Sequence, residues 1–324
     1  MALQWTQDID DMFTTTWSNR KTEAIEQAYK ATPFWFWLKE KGRIEELSGG
    51  TRIEVPVEYG KNDTATWLSK GGTVPLTENQ LMTMTYEDWK YVSVTLMRFG
   101  IEDQQNKGPN KIIDYTARKT ARAEEALDTE FERVFFATGT GDNEPNGLIN
   151  LVSATPTTGT VHGINRATAG YEWWRNLQKS STGVTSVALI PDMRNCLNTM
   201  SLYTKINLKD IFLLTTQTIY EAYEDELLEY KVIQNSTLGD ASFEHQVYKG
   251  RPMMWAEGET EGYMHFINPR YLYCVIDPGY FMDMTEWKPI PDQVNDRVAQ
   301  IVCTIQMIVT RPISQLVMTG IVVG

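Results

Sequence analysis

The residues able to do chemistry are few in this sequence and widely spaced. The three cysteines, Cys196, Cys274 and Cys303, are odd in number and far apart. This pattern is typical of buried free thiols in a reducing compartment and not of a disulfide framework. The three histidines share no metal-ligand spacing with the cysteines. They are His162, His245 and His265. The sequence therefore predicts no catalytic residue, no cofactor and no metal site.

Carboxylates and tryptophans are numerous enough to suggest an enzyme acting on glycans. Such a hydrolase needs two carboxylates held roughly 5–10 Å apart, and no short motif singles out a pair among the 42 acidic residues. The acidic segment 218–230 suggests a metal site, but a solvated helix face explains it better. The Gly-x-Gly of segment 138–147 follows a helical pattern and not a strand, so it lacks the context of a nucleotide loop. The hydrolase stays open as an alternative.

Charge limits the partners of the chain. Its 324 residues carry a net charge of −12, which argues against broad binding to a phosphate backbone. An acidic wall that faces DNA across a gap without holding it remains compatible with this charge. The N-terminus shows no signal-peptide pattern, and the apolar stretch 301–309 is interrupted by Thr304 and Gln306. The sequence therefore predicts no membrane partner.

The first hundred residues predict an arm and a hairpin. The aromatic run 34–38 must be buried, under this chain or under a neighbour. After the break at 48–50, residues 52–59 alternate, with the apolar side chains on one face. A second strand is predicted over about 82–99, and the glycine-rich stretch 60–80 forms the tip. A long two-stranded hairpin is marginal in water, so it packs either on its own domain or across another subunit.

A long helix is predicted from Gly108 to Ala137, with Pro109 in its first turn. At about 1.5 Å per residue it would be roughly 45 Å long, a spine for the rest of the chain. One stripe is apolar and is predicted to face a core. It comprises Ile113, Ala117, Ala121, Leu127, Phe131 and Val134. The opposite face is charged. It comprises Lys111, Asp114, Arg118, Arg122, Glu125 and Glu132.

The second half of the chain predicts a compact mixed domain and a returning strand. Residues 184–270 alternate short strands and helices, with a strand over 185–190 ended by Pro191 and a helix over 193–203. The last segment alternates from Ala299 to Val309, so that a long strand should pack on the apolar stripe of the spine helix. A further strand over 316–323 is predicted in the same layer.

The order of these parts resembles the major capsid proteins of tailed bacteriophages, whose fold is shared with encapsulins and with the floor of the herpesvirus capsid. Four short motifs carry the resemblance. They are Thr51-Arg-Ile-Glu-Val-Pro-Val-Glu-Tyr-Gly60, Pro145-Asn-Gly-Leu-Ile149, Gly163-Ile-Asn-Arg166 and Trp173-Trp-Arg-Asn176. The resemblance implies an α+β capsid fold with an N-terminal arm, an extended hairpin loop, a spine helix with long strands in a peripheral domain, and a compact axial domain. The arm corresponds to residues 1–47 and the hairpin loop to residues 48–100. The peripheral domain corresponds to residues 101–183 and 271–324, and the axial domain to residues 184–270.

The same resemblance implies a function without catalysis. Such subunits form pentamers and hexamers that tile an icosahedral shell around double-stranded DNA. The implied partners are further copies of the chain, a scaffolding protein, a portal and a decoration protein. The implied location is the virion, after assembly in the host cytoplasm. An encapsulin-like compartment that stores a cargo enzyme is the alternative within this fold, and cargo, DNA content and neighbouring genes would separate the two.

Seven residues are candidates for contacts between subunits. Trp67, Leu68 and Lys70 lie at the hairpin tip. Some members of the family join a loop lysine to a neighbour's asparagine, and Lys70 could play that part, although no matching Asn/Glu motif is found. The other four lie at or near the aromatic run after residue 163. They are Arg166, Trp173, Trp174 and Arg175. The tryptophans suggest either a subunit interface or core packing, and the arginines could pair with acids across subunits.

Overall fold

Helices and strands alternate along an α+β chain. A computed structural model describes residues 33–60, 64–74, 76, 80–101, 115–139, 143–181, 189–203, 210–227, 246–291 and 295–322. The helices are α1 Pro33–Glu40, α2 Tyr115–Phe135, α3 Leu148–Leu151, α4 Leu189–Tyr203 and α5 Gln217–Leu227. The first eight strands are β1 Ile44–Glu46, β2 Ile53–Glu58, β3 Met82–Glu87, β4 Lys90–Arg98, β5 Thr160–Val161, β6 Ile164–Asn165, β7 Leu177–Ser180 and β8 Phe212–Thr215. The others are β9 Gln246–Tyr248, β10 Arg251–Trp255, β11 Met264–Ile267, β12 Leu272–Ile276, β13 Asp283–Met284, β14 Lys288–Pro289, β15 Arg297–Val309 and β16 Leu316–Thr319.

The chain divides into two compact units. The first comprises Met1–Ala31, Ser93–Thr129 and Met282–Val302, and the second comprises Thr32–Val92, Glu130–Phe281 and Cys303–Gly324. The elements β4, α2 and β15 each contribute residues to both units. None of the helices in the described part of the chain is long and apolar enough to cross a bilayer.

The first unit contains the beginning of the long strand β15. Strands β13 and β14 pair with it antiparallel, with Asp283 opposite Val302 and Lys288 opposite Val298. The backbone N–H of Gly100 donates to Asp296 Oδ1 at 2.9 Å. These bonds fix the start of β15 beside the end of β4.

The second unit contains a six-stranded sheet in the order β7-β16-β11-β8-β10-β9. Strands β7, β8 and β10 run parallel to a neighbour, while β11 is antiparallel to both β8 and β16. Helices α4 and α5 contribute Met193, Cys196 and Tyr223 to the apolar core that this sheet covers. Burial of these side chains is the main force that holds the helices on the sheet.

Two sequence predictions in this region are wrong. Leu316–Thr319 does not continue the layer of the long strand, because a 3₁₀ turn at Pro312–Ser314 redirects the chain into the six-stranded sheet. Leu189 and Ile190 open helix α4 and do not end a strand. Pro191 lies in the first turn of that helix, where its missing N–H breaks no hydrogen bond. The rest of the proposed strand, 185–188, lies outside the described residues.

The second unit also holds the remainder of β15. This part pairs antiparallel with β12, from Ile276 opposite Ile305 to Leu272 opposite Val309, and β1 pairs parallel with β12 on its other side. The predicted apolar face is confirmed, since every member is buried. That face comprises Ala299, Ile301, Cys303, Ile305, Met307 and Val309. Thr304 and Gln306 on the other face are buried as well, so this part of the strand is covered on both sides.

The predicted spine helix is present as α2, which is described over 21 residues. Its predicted start at 108–114 lies outside the described residues, as do Ile113 and the side chain of Ala117. Leu127, Phe131 and Val134 are buried as predicted. Ala121 is exposed instead, and Ala123 takes its place in the buried stripe. The stripe thus follows i, i+4 and i+8 spacing from residue 123.

Glu132 is the main correction on this helix. The charge pattern places it on the solvated face, but its side chain is buried. Its carboxylate accepts hydrogen bonds from the backbone N–H groups of Phe34 at 3.1 Å and Trp35 at 2.8 Å. These donors belong to the first turn of α1, where helix N–H groups have no partner within the helix. Glu132 therefore caps α1 from outside.

The aromatic run 34–38 is buried under this chain itself, which resolves the alternatives that the sequence left open. Phe34, Trp35 and Trp37 are almost wholly inaccessible. Phe34 packs edge-on against Phe135 of α2, with ring centroids 5.9 Å apart. Trp37 stacks on Phe212 at 4.4 Å. Residues 1–32 of the predicted arm lie outside the described residues.

The predicted hairpin is present, but its second strand is broken. Strands β2 and β3 pair antiparallel from Ile53 opposite Glu87 to Glu58 opposite Met82. The chain then turns at 88–89 before β4, so the strand predicted over 82–99 is wrong as one element. Two contacts hold the break. Arg52 forms an ion pair with Asp88 at 2.8 Å, and the indole N–H of Trp89 donates to the Gly50 carbonyl at 3.1 Å.

Candidate inter-subunit surface

The distal part of the hairpin carries an apolar surface. In the tip loop, Trp67 is fully exposed and Leu76 is 97% exposed, while half of Leu68 is accessible. Lys70 in the same loop is exposed as well. More than half of the surface of Met82 and Met84 on β3 is open. Exposed large apolar side chains are typical of interaction surfaces when they form a contiguous patch.

The other face of the hairpin is anchored. Ile53 packs with Tyr273 and Ile308 in a small apolar cluster on β12 and β15. Thr85 is buried, and its hydroxyl donates to the Val55 carbonyl at 3.0 Å across the two strands. The hairpin therefore packs on its own chain at the base and exposes apolar side chains at the tip.

Residues 159–176, here called the strap, hold the hairpin from the side. Tyr59, which directly follows β2, stacks on Trp173, with ring centroids 4.8 Å apart. The backbone N–H of Tyr86 donates to the His162 carbonyl at 3.3 Å. A side chain at Gly163 would lie 2.5 Å from the Tyr86 ring, so only glycine allows this close approach. The strap thus contacts both strands of the hairpin.

Two of the predicted contact residues lie in the core of the chain itself. Trp174 is fully buried, and its indole N–H donates to the Val161 carbonyl at 3.1 Å. Arg166 is 1% exposed and donates to the carbonyls of Asn150 and Leu151 at 3.1 and 2.6 Å. Burial lowers the pKa of its guanidinium to about 10. Both side chains hold the strap and present no surface to a neighbour.

Trp173 and Arg175 are half-buried beside them. The Arg175 Nε donates to the Arg166 carbonyl at 2.8 Å, and its guanidinium lies 3.8 Å from Glu172. The structure thus brings the four predicted residues of the strap together. It groups the other three, Trp67, Leu68 and Lys70, in the tip loop.

The candidates for catalysis gain no support from the described residues. No cluster of three or more His, Cys, Asp or Glu side chains that could hold a metal occurs among them. A cleft of about 190 Å³ is lined by the carboxylates of Glu130 and Glu144. Both accept hydrogen bonds from Arg133, at 2.7 and 2.9 Å. One guanidinium therefore holds both acids, and the cleft is smaller than the ~300 Å³ at which ligand sites begin.

The sequence missed the outer apolar face of β3. Met82, Met84 and Tyr86 alternate with Thr83 and Thr85, and this alternation was a signal that one face is open to a partner. Leu76 in the tip carried no comparable signal, because a loop has no period that assigns a side chain to a face.

Comparison of the whole fold shows which proteins it resembles. No protein-family model matches the sequence, and no curated protein is significantly similar to it. Among solved structures, the chain is similar to the capsid asymmetric unit of cyanophage A-1(L), with a TM-score of 0.71 and 14% identity over 93% of this chain and 96% of that one. It is also similar to the SrpI encapsulin of Synechococcus elongatus PCC 7942, with a TM-score of 0.61 and 11% identity over 93% and 92%.

A third similar structure is the capsid of an empty GTA particle, with a TM-score of 0.61 and 10% identity over 93% of this chain and 94% of that one. These likenesses cover nearly all of each chain. The protein therefore has the α+β fold of tailed-phage capsid proteins, which the encapsulin shares.

Proposed function

We propose that the chain is a major capsid protein that assembles through pentamers and hexamers into an icosahedral shell around double-stranded DNA. The observation that carries the proposal is the apolar hairpin tip. Trp67 and Leu76 are open to solvent on a chain whose fold matches shell subunits over 93% of its length. In an isolated chain this apolar tip would stay exposed to water, whereas a neighbouring subunit would cover it.

Shell geometry gives this tip a role. Ring-forming contacts in a capsomer are heterologous, so a protruding element of one copy lies on a different surface of the next. Many modest contacts of this kind add up through avidity to a stable shell. The net charge of −12 keeps the wall from adhering to packaged DNA. The proposed partners are other copies, a scaffolding protein, a portal, a decoration protein and DNA that is not bound sequence-specifically.

The proposal places the protein in the virion, after assembly in the host cytoplasm, and gives it no enzymatic activity. The similar solved structures are shell proteins, which supports a structural role. The five segments named above keep their proposed roles, from the N-terminal arm at 1–47 to the peripheral strands at 271–324. Lys70 is proposed as a contact residue at the tip.

Substitution of the tip tests the proposal. Replacing Trp67 and Leu68 with serine removes apolar contact area of the kind worth roughly 1.5–3 kcal/mol per large side chain. We expect a folded, soluble protein whose assembly needs roughly tenfold or more higher protein concentration, measured by light scattering and sedimentation. Trp67→Phe is the matched control, since it keeps an aromatic ring, and it should assemble nearly as the parent does. Unchanged assembly of the serine variant would rule out the tip as a subunit contact.

An encapsulin-like shell is the second candidate. The likeness to the SrpI encapsulin over 93% of the chain favours it. Nucleic-acid content separates the two, because particles from the native source should contain double-stranded DNA if the chain is a viral capsid protein. Particles that hold a protein cargo and lack DNA would replace the viral proposal with the compartment.

A further inference from the structure

We infer that His162 is a proton-sensitive link between the hairpin and the long strand β15, and that acidification opens its bond to β15. Opening of this bond can be followed in the chain itself, without shell assembly. Three features of the imidazole support this role: its position in a strained turn, its two hydrogen bonds of opposite direction, and its burial.

His162 occupies a position that most side chains avoid. Strands β5 and β6 are joined by the two-residue turn His162-Gly163, with Val161 opposite Ile164. Both turn residues have positive φ, 49° and 77°, as the favoured two-residue hairpin turn requires. A non-glycine residue in the left-handed region is uncommon and marks strain that other contacts must offset. The contacts of the imidazole are the compensation that the structure shows.

The two ring nitrogens have different partners. The backbone N–H of Val309 in β15 donates to Nε2 at 3.0 Å. Nε2 is therefore an acceptor and carries no proton. The proton of the neutral ring is then on Nδ1, which lies 3.0 Å from Glu87 Oε2 on β3 and donates to it. The neutral ring thus joins the hairpin to β15.

The charged side chains near the ring lie on β3, in the turn after β3 and in the strap. Glu87 on β3 faces it directly, and the edge of Trp174 lies beside it with centroids 6.3 Å apart. The next residue of the hairpin, Asp88, is already paired with Arg52. Within the strap, the guanidiniums of Arg166 and Arg175 donate to backbone carbonyls. Glu87 is therefore the charge that would balance a protonated ring.

Protonation of the ring would break one of its two hydrogen bonds and strengthen the other. A proton added at Nε2 would face the N–H of Val309, and two donors cannot bond to each other. The bond to Glu87 would become a charge-assisted pair and grow stronger. Because His162 is 2% exposed, water cannot easily replace the lost partner. An acidified ring therefore stays with the hairpin and releases β15.

His265 provides an internal comparison. It too is buried beside a carboxylate, with Nδ1 3.0 Å from Glu259 Oε2. Its Nε2 faces the Val152 carbonyl at 3.3 Å. Both of its ring nitrogens thus face acceptors, so protonation breaks no bond there. The opposite orientation of one partner, an N–H at Val309 and a carbonyl at Val152, makes His162 sensitive to protons.

Hydrogen–deuterium exchange of the full chain tests the inference. Peptides that contain Val309 are compared at pH 7.5 and pH 5.0, after correction for the intrinsic pH dependence of exchange. We expect protection of Val309 to fall roughly tenfold at pH 5.0, since a buried N–H loses its acceptor. Peptides that contain Val152, whose N–H donates to the Leu148 carbonyl at 2.7 Å and not to a histidine, serve as the reference and should keep their protection. Equal protection of Val309 at both pH values would overturn the inference.

Two variants strengthen the test. His162→Gln offers an acceptor and a donor that do not titrate, so its Val309 protection should not depend on pH. Glu87→Gln keeps an acceptor for Nδ1 but removes the charge that would pair with a protonated ring, so Val309 should lose less protection at pH 5.0. If either variant fails to fold, the ¹⁵N signals of the His162 ring in the parent chain decide. A proton on Nε2 at pH 7.5 would refute the proposed switch.

Discussion

Single buried polar side chains hold distant parts of this chain together. Glu132 on the spine helix binds backbone N–H groups that lie almost a hundred residues earlier. Periodicity assigned it to the charged face, because a sequence pattern reports the face of a helix but not the unpaired donors of another helix. The apolar positions Leu127 and Phe131 were predictable, since hydrophobic spacing alone determines their burial.

The buried carboxyl of Glu132 should make the folded chain less stable as pH rises. Burial raises the pKa of its carboxyl from the ordinary 4.5 to about 7, against the lowering effect of the two N–H donors. The folded chain therefore holds this proton more tightly than the unfolded chain. The resulting stabilisation is full below pH 4.5 and is lost as pH rises through about 7. If the whole shift is realised, it is on the order of 3 kcal/mol.

The measurement is thermal unfolding of the parent chain and of Glu132→Gln between pH 5 and pH 8. At pH 5 the buried carboxyl is neutral and, like the amide, offers one full acceptor to the two N–H groups, so parent and variant should differ by under about 1 kcal/mol. As pH rises toward 8, the parent should lose stability relative to the variant, which cannot titrate, by up to about 3 kcal/mol. A parent that gains stability relative to the variant as pH rises would contradict the assignment.

Substitution of Gly163 should also lower the stability of the chain. Its φ of 77° is strained for any other residue, and a Cβ would lie 2.5–2.6 Å from the Tyr86 ring. Gly163→Ala should destabilise the chain by about 2–4 kcal/mol, since it adds a clash to the backbone strain. Gly159→Ala is the matched control, because Gly159 also has positive φ but has nothing within 4 Å of its Cβ. Equal losses in chemical denaturation would show that the contact with Tyr86 adds nothing.

At the scale of elements, alternation predicted β2 and β15 well. A period of two identifies an apolar face wherever one side is buried. It failed beyond Cys303, where both faces of β15 are covered and Gln306 lies in the core. It also failed at the break between β3 and β4, because the contacts of Asp88 and Trp89 come from residues far earlier in the chain.

Substitution of Gln306 tests how much its buried hydrogen bonds contribute to the free energy of unfolding. Its Oε1 accepts from the N–H groups of Asn146 and Met307 at 2.8 and 3.0 Å, and its Nε2 donates to the Asp88 carbonyl at 3.1 Å. Gln306→Leu leaves these groups without partners and should lower the free energy of unfolding by about 2–4 kcal/mol. The control is Gln300→Leu on the exposed part of the same strand, which should change it by under about 0.5 kcal/mol. Similar effects of the two would show that the buried amide is dispensable.

Shortening the hairpin should impair assembly of the chain but not its folding. The base of the hairpin is anchored at Ile53, while Trp67 and Leu76 in the tip are open to solvent. Deletion of residues 62–79 should therefore leave a soluble chain with a nearly unchanged melting temperature but should impair shell formation. Calorimetry and sedimentation measure the two effects. Normal shells from the shortened chain would place the subunit contact elsewhere.

For the whole molecule, the order of elements in the sequence was more informative than any single motif. Hairpin, spine helix and returning strand occur in the predicted order, and the likeness to the cyanophage A-1(L) capsid structure over 93% of the chain confirms the predicted fold. The candidate site was less predictable. Trp67 and Trp174 have the same side chain, yet one is open to solvent and the other is buried. Composition cannot distinguish them, because burial depends on contacts between residues distant in sequence.

Electron microscopy of the purified chain, with light scattering across protein concentrations, tests the central claim most directly. The proposed function predicts closed shells, or the rings and tubes that the same contacts produce when closure fails. A chain that stays monomeric at every protein concentration and ionic strength, both alone and with the proposed scaffolding protein, would contradict it, and the exposed tip at Trp67 would then need another partner.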